Sequence, residues 1–140
     1  MTRNDNYWIG TEAVLRVALK LTQMHFVVAF TSRNAAGVDL MVTAPDTGRT
    51  YGVQVKGSSK GRNWTLKKAN FQLRDPRVVY VFVNLRVPSN PEFYVRRGLA
   101  LHSTLQRGYW ANPGNTQVHW PTLFRGGLVG RDEWSKVFRK

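Results

Sequence analysis

The stretch Tyr51 to Gly57, YGVQVKG, decides the fold. Tyr51, Val53 and Val55 recur with period two, the pattern of a half-buried strand. Between them, on the opposite face, stand Gln54 and Lys56. Lysine is depleted in strands, so an amide and an ammonium two residues apart on one face call for a partner. Upstream, GVDLMVT (Gly37 to Thr43) reads as the preceding strand. The loop Pro45 to Gly48 between the two suits a type I turn closed by a left-handed glycine. That turn pairs Ala44 with Arg49. Continued along the hairpin, it sets Leu40 opposite Val53, Asp39 opposite Gln54 and Val38 opposite Val55. Opposite residues share a sheet face. The register therefore gathers Asp39, Gln54 and Lys56 on one face and leaves the valines and Leu40 on the other.

Outward from the hairpin, Thr11 to Leu21 (TEAVLRVALKL) has helical period, with Val14, Ala18 and Leu21 on one face. Glu12 falls in the expected first turn, where a carboxylate suits the helix dipole, and four residues before Arg16. Phe26 to Phe30 is a short strand. Trp64 to Leu73 suggests a strand followed by a short helix. Val78 to Leu85 (VVYVFVNL) is a near-continuous apolar run, expected as a central strand. A strand over Glu92 to Arg96, a helix over Gly98 to Arg107, an irregular Pro/Gly-rich stretch from Asn112 to Gly130 and a terminal helix carrying Trp134 and Phe138 complete the reading. The length suggests one domain across residues 1–140.

Charge is the strongest global signal. There are 21 Lys+Arg against 8 Asp+Glu, a formal net charge of +13. Such a chain repels itself unless it meets a polyanion, and nucleic acid is the expected partner. From Arg49 to Arg77 there are eight basic residues and one acid, Asp75. Within and beside this region Ser58, Lys60, Arg62, Lys67 and Lys68 are candidate contacts to a phosphate backbone, with Arg33 in the loop before Asp39. Trp64 and Phe71 either stack on bases or fill the core, and the core reading is favoured. The chain has no cysteine, no apolar run near the roughly 20 residues that span a bilayer and no apolar leader, so a cytoplasmic setting without membrane contact is expected. His25, His102 and His119 are far apart, against a zinc hydrolase. FRGGLVG, Phe124 to Gly130, lacks the Lys-Ser/Thr of a phosphate-binding loop.

The order of helix with Glu12, strand, strand with Asp39, then Gln54-Val55-Lys56, a helix-like segment and the VVYVFVNL strand resembles the PD-(D/E)XK nuclease superfamily, over about residues 10 to 86. The resemblance implies an α/β, restriction-endonuclease-like αβββαβ core with a mixed sheet flanked by helices. It implies a phosphodiesterase that uses Mg²⁺ or Mn²⁺. Asp39, the Gln54 amide oxygen and the Val55 carbonyl would hold the ion. Glu12 would bind a second ion or a water, and Lys56 would orient the attacking water or stabilise developing charge. The implied substrate is DNA, branched or as a restriction-like duplex, and because one small basic domain covers little duplex a homodimer is expected. Gln54 stands where most members carry an acid, a variant that resembles one subset of restriction-type and resolvase-like members. That departure leaves open a nucleic-acid-binding module that no longer cleaves; a further alternative is a nuclease toxin domain acting on tRNA or DNA.

Overall fold

The computed structural model describes residues 5–32, 38–62, 64–67, 76–115, 117–119 and 131–138. Helix α1 (Asp5–Gln23) leads into β1 (Val27–Phe30), β2 (Leu40–Thr43) and β3 (Thr50–Ser58). Then follow β4 (Thr65–Lys67), β5 (Val78–Asn84), β6 (Glu92–Arg97), α2 (Gly98–Arg107), a 3-10 turn (Tyr109–Ala111), β7 (Gln117–His119) and the short α3 (Trp134–Val137). Five strands form one mixed sheet in the order β1-β2-β3-β5-β6, and β4 pairs with β7 in a separate two-stranded sheet. Only the β3–β5 contact in the large sheet is parallel. The fold is thus α/β with a mixed sheet and flanking helices. The helix expected between the third strand and the VVYVFVNL strand falls mostly on residues 68–75, outside the described residues.

The two sheet faces build two cores. Leu40, Val42, Val53, Val55, Val79, Val81 and Val83 pack with Ala13, Val17 and Leu21 of α1 and with Trp134 and Phe138. On the other face Tyr80, Phe82 and Tyr94 pack with Leu101 and Leu105 of α2, with Trp110 and with Trp64 and Leu66. Strand β5 contributes to both, which explains its unbroken apolar run. Each such side chain, fully buried, stabilises the fold by about 1.5–3 kcal/mol.

The hairpin turn follows its chemistry. Gly48 adopts φ +70° and donates to Ala44 O at 2.8 Å, and Ala44 N–H donates to Arg49 O at 2.8 Å. The pairing Leu40↔Val53 through Thr43↔Thr50 is the expected register. At Gly57 helix and strand nearly touch. A Cβ there would lie 2.6 Å from Ala13 Cβ and 3.1 Å from Ile9 O, so only glycine lets α1 sit this close to β3.

Three expectations are corrected. Helix α1 begins at Asp5 rather than near Thr11, so Glu12 lies in its middle and the dipole argument for it does not apply. Its inward stripe is Ala13, Val17, Ala18 and Leu21, with Val14 half-buried, a small rotation from the expected face. Residues 117–119, expected to be irregular, form β7, because a three-residue strand paired with β4 leaves too little periodicity to read.

Candidate active site

The straight hairpin register ends at Leu40. The Asp39 N–H donates to Val53 O at 2.7 Å, the oxygen of the residue that already faces Leu40. Two successive residues thus oppose one, the signature of a β-bulge. The expected Asp39–Gln54 rung is therefore absent. In its place the Asp39 carboxylate, through Oδ2, accepts the Val55 N–H at 2.8 Å. In the straight register that N–H belongs to the Val38 carbonyl, which instead accepts the Thr31 hydroxyl at 2.7 Å. The Asp39 carbonyl accepts the Thr31 N–H at 3.1 Å. Thr31, on the neighbouring chain segment, thus holds the bulge open.

The bulge borders a cleft of about 660 Å³. Asp39, Gln54 and Val55 line it, together with Thr31, Ser32 and Val38. Helix α1 closes the other side through Asn6, Tyr7, Gly10, Thr11, Val14 and Leu15. In extended backbone the N–H and C=O of one residue lie along the same strand edge. The Val55 carbonyl therefore faces the edge where Asp39 sits.

Burial raises the Asp39 pKa above its ordinary 3.8, and the Val55 N–H and the positive charge of Lys56 offset this only in part. Lys56 is half-buried and near enough for its charge to act on the Asp39 carboxylate.

The structure thus brings Asp39, Gln54 and Val55 to one cleft and sets Lys56 beside it. Glu12 is engaged elsewhere. Its Oε2 accepts the Arg16 Nε–H at 2.8 Å, and its neighbour Thr11 lines the cleft while Glu12 does not. Among the described residues, no group of three His, Cys, Asp or Glu is placed to share a metal ion. Ser58 is buried and its hydroxyl accepts the Lys60 N–H at 3.0 Å, so it shapes the loop instead of facing a ligand. Lys60 and Lys67 are exposed. Arg62 pairs with Glu92 at 3.4 Å and lies over the Tyr94 ring. Arg33 and Lys68 lie outside the described residues. Trp64 is core: it is 3% exposed and its indole N–H donates to Val83 O.

Two features escaped the sequence reading. The cleft wall from α1 carries Tyr7, Thr11 and Val14, spaced i, i+4, i+7. The spacing is present in the sequence, but its first member, Tyr7, precedes the helix start expected near Thr11. The role of Thr31 as a brace for the bulge has no sequence signal, because it depends on β1 lying beside β2.

No protein-family model matches the chain, and no curated protein matches it in sequence. Among solved structures it is similar to a bacterial homing endonuclease, I-Ssp6803I. The TM-score is 0.54 at 17% sequence identity, over 91% of this chain and 88% of that one. At this identity the likeness is one of fold.

Proposed function

We propose that the chain is a metal-dependent DNA endonuclease of the PD-(D/E)XK type with Gln54 in the place of the second acid. The observation that carries the reading is the Asp39–Val55 bond. It collects a carboxylate, an amide and a backbone carbonyl at one cleft, beside a lysine, on a fold shared with a homing endonuclease. The net charge of +13 supports a polyanionic substrate.

The donors fit the ion. Asp39, the Gln54 amide oxygen and the Val55 carbonyl are hard oxygens, the kind that Mg²⁺ and Mn²⁺ take. A bound divalent ion supplies Lewis-acid polarisation of a phosphate oxygen and lowers the pKa of its water. The protein residues supply the rest. Asp39 brings the negative charge. Gln54 orients without adding charge, which makes the site weaker for cations than one with two carboxylates. Lys56 donates to the scissile phosphate or to the incoming water and offsets charge that develops there. Glu12, once released from Arg16, completes the acidic side of the cleft from α1. A homodimer would let two such clefts address both strands of a duplex.

The test is direct. Purified protein is incubated with Mg²⁺ or Mn²⁺ and with labelled linear duplex, four-way junction, single-stranded DNA and tRNA. Cleavage of a DNA substrate that disappears in Asp39→Asn and in Lys56→Ala supports the reading. Cleavage of tRNA alone moves the substrate to RNA. No cleavage, with DNA still bound, replaces the enzyme by a binding module.

A further inference from the structure

We infer that Arg62 and Arg131, gathered at Glu92, form a seat for the phosphate backbone of nucleic acid, separate from the Asp39 cleft. The inference rests on the proposed DNA-binding role and adds to it a second, non-catalytic contact surface.

Glu92 opens β6 and is the hub of a polar network. Its Oε1 accepts from Asn84 Nδ2 at 2.8 Å, from the Tyr94 hydroxyl at 3.1 Å and from Arg62 Nε at 3.4 Å. Its Oε2 pairs with Arg131 Nη1 at 3.3 Å. Arg131 Nε also lies 3.9 Å from the exposed Asp132 carboxylate. Arg86 lies on the adjoining turn and touches this network through its main chain. Its N–H donates to Asn84 Oδ1, and its Cδ would lie 3.7 Å from a Cβ on Gly61, the neighbour of Arg62. Two guanidinium groups from two chain segments thus meet at one carboxylate.

The carboxylate is the buried member of the set and the arginines are its open members. The Glu92 side chain is 19% exposed, against 43% for Arg62 and 37% for Arg131. A guanidinium carries five N–H donors in a fixed fork. Glu92 engages one nitrogen of Arg62 and one of Arg131, and so aligns the forks without consuming them. With exposed Lys60 on the same loop, the group carries a net positive charge in spite of Glu92 and Asp132. A planar fork held by a carboxylate is well suited to bidentate phosphate contact.

The position fits a duplex that reaches the cleft. Lys56 and Ser58 succeed each other on one face of β3. Ser58 pairs with Asn84, and Asn84 with Glu92. Glu92 is therefore two strands across and one two-residue step along from Lys56, about 12 Å between Cα atoms at ordinary sheet spacings. A backbone entering the cleft at Lys56 would meet the arginines a few nucleotides from the scissile bond.

The experiment is fluorescence anisotropy of a labelled linear duplex without divalent metal, titrated at salt concentrations from about 50 to 200 mM. Arg62→Ala and Arg131→Ala should each lower the slope of log affinity against log salt by about 1. Arg131→Lys should keep the slope but bind more weakly. Glu92→Gln should also bind more weakly, although it removes a negative charge, because the forks lose their alignment. Thermal melts establish that each variant is folded. Wild-type slope and affinity in both alanine variants would overturn the seat. Tighter binding by Glu92→Gln would overturn the aligning role. Failure of the wild type to cleave DNA bears on the nuclease reading and leaves this measurement standing.

Discussion

Asp39 Oδ2 accepts the Val55 N–H at 2.8 Å, so a side chain at the entry to β2 stands where a ladder carbonyl belongs on β3. The carboxylate is thereby fixed to the strand that carries Gln54 and Lys56. An aspartate set in a bulge and raised in pKa by burial is a strained choice for stability and a useful one for chemistry.

Asp39→Asn should abolish cleavage without destabilising the protein. Because the folded-state pKa is raised, ionisation is less favourable in the fold than in the unfolded chain. Stability therefore declines as pH rises from 3.8 through the raised value. A neutral amide removes that penalty, and its oxygen can still accept the Val55 N–H. The expected result at pH 7 is a loss of activity of at least about 100-fold with an unfolding midpoint at or above that of the wild type. A midpoint several degrees lower would show that the charge itself supports the fold.

Lys56→Ala should slow cleavage by about 10²–10³-fold, the usual consequence of losing one charge-stabilising donor. It should also move the acid limb of Mn²⁺ binding to higher pH, since the Lys56 charge holds the Asp39 pKa down. A pH series of Mn²⁺ titrations checks this. An unmoved limb would show that Lys56 does not act on Asp39.

Glu12 and Arg16 separate a helix-surface pair from a working carboxylate. As a half-buried i, i+4 pair at the helix surface they contribute about 0.3–0.5 kcal/mol. Glu12→Gln and Arg16→Ala should thus be nearly equal in unfolding free energy. They should differ in function, with Glu12→Gln losing at least about tenfold in cleavage rate and Arg16→Ala losing none. Equal and small losses in both would confine Glu12 to the helix.

Gly57→Ala should destabilise the fold by about 1–3 kcal/mol, because the new methyl meets Ala13 Cβ at 2.6 Å and pushes α1 off β3. Gly10→Ala is the counterpart. Nothing lies within 4 Å of a Cβ there, in mid-helix, so it should stabilise by about 0.5–1 kcal/mol. Chemical denaturation of both variants tests the pair, and the reversed order would refute the packing argument.

Glu92 should carry part of the acid sensitivity. Burial pushes its pKa up, but hydrogen bonds from Asn84, Arg62 and Tyr94 and the Arg62 charge outweigh it, and the net shift is below the ordinary 4.5. A lowered pKa contributes stability above 4.5 that is lost as pH falls through the folded value. Glu92→Gln should destabilise the protein by about 1–3 kcal/mol at pH 7 and show a smaller further loss on acidification. An identical acid profile in variant and wild type would remove Glu92 from this role.

Much of this protein was legible in its chain. Turn chemistry at Pro45–Gly48 placed Leu40 opposite Val53, the unbroken run from Val78 marked a central strand, and Gly98 to Arg107 was helical as expected. These follow from local rules, since a residue's periodicity and its turn preferences depend on near neighbours.

The tertiary structure decided the rest. No periodicity announces that the ladder breaks at Asp39, that the Thr31 hydroxyl takes the Val38 carbonyl, or that the Asp39 carboxylate fills the vacated place at Val55. Nor does the chain show that Glu92 draws arginines from residues 62 and 131 together. Each depends on segments far apart in sequence competing for the same hydrogen-bonding groups. That competition is settled only when the sheet order β1-β2-β3-β5-β6 sets those segments side by side.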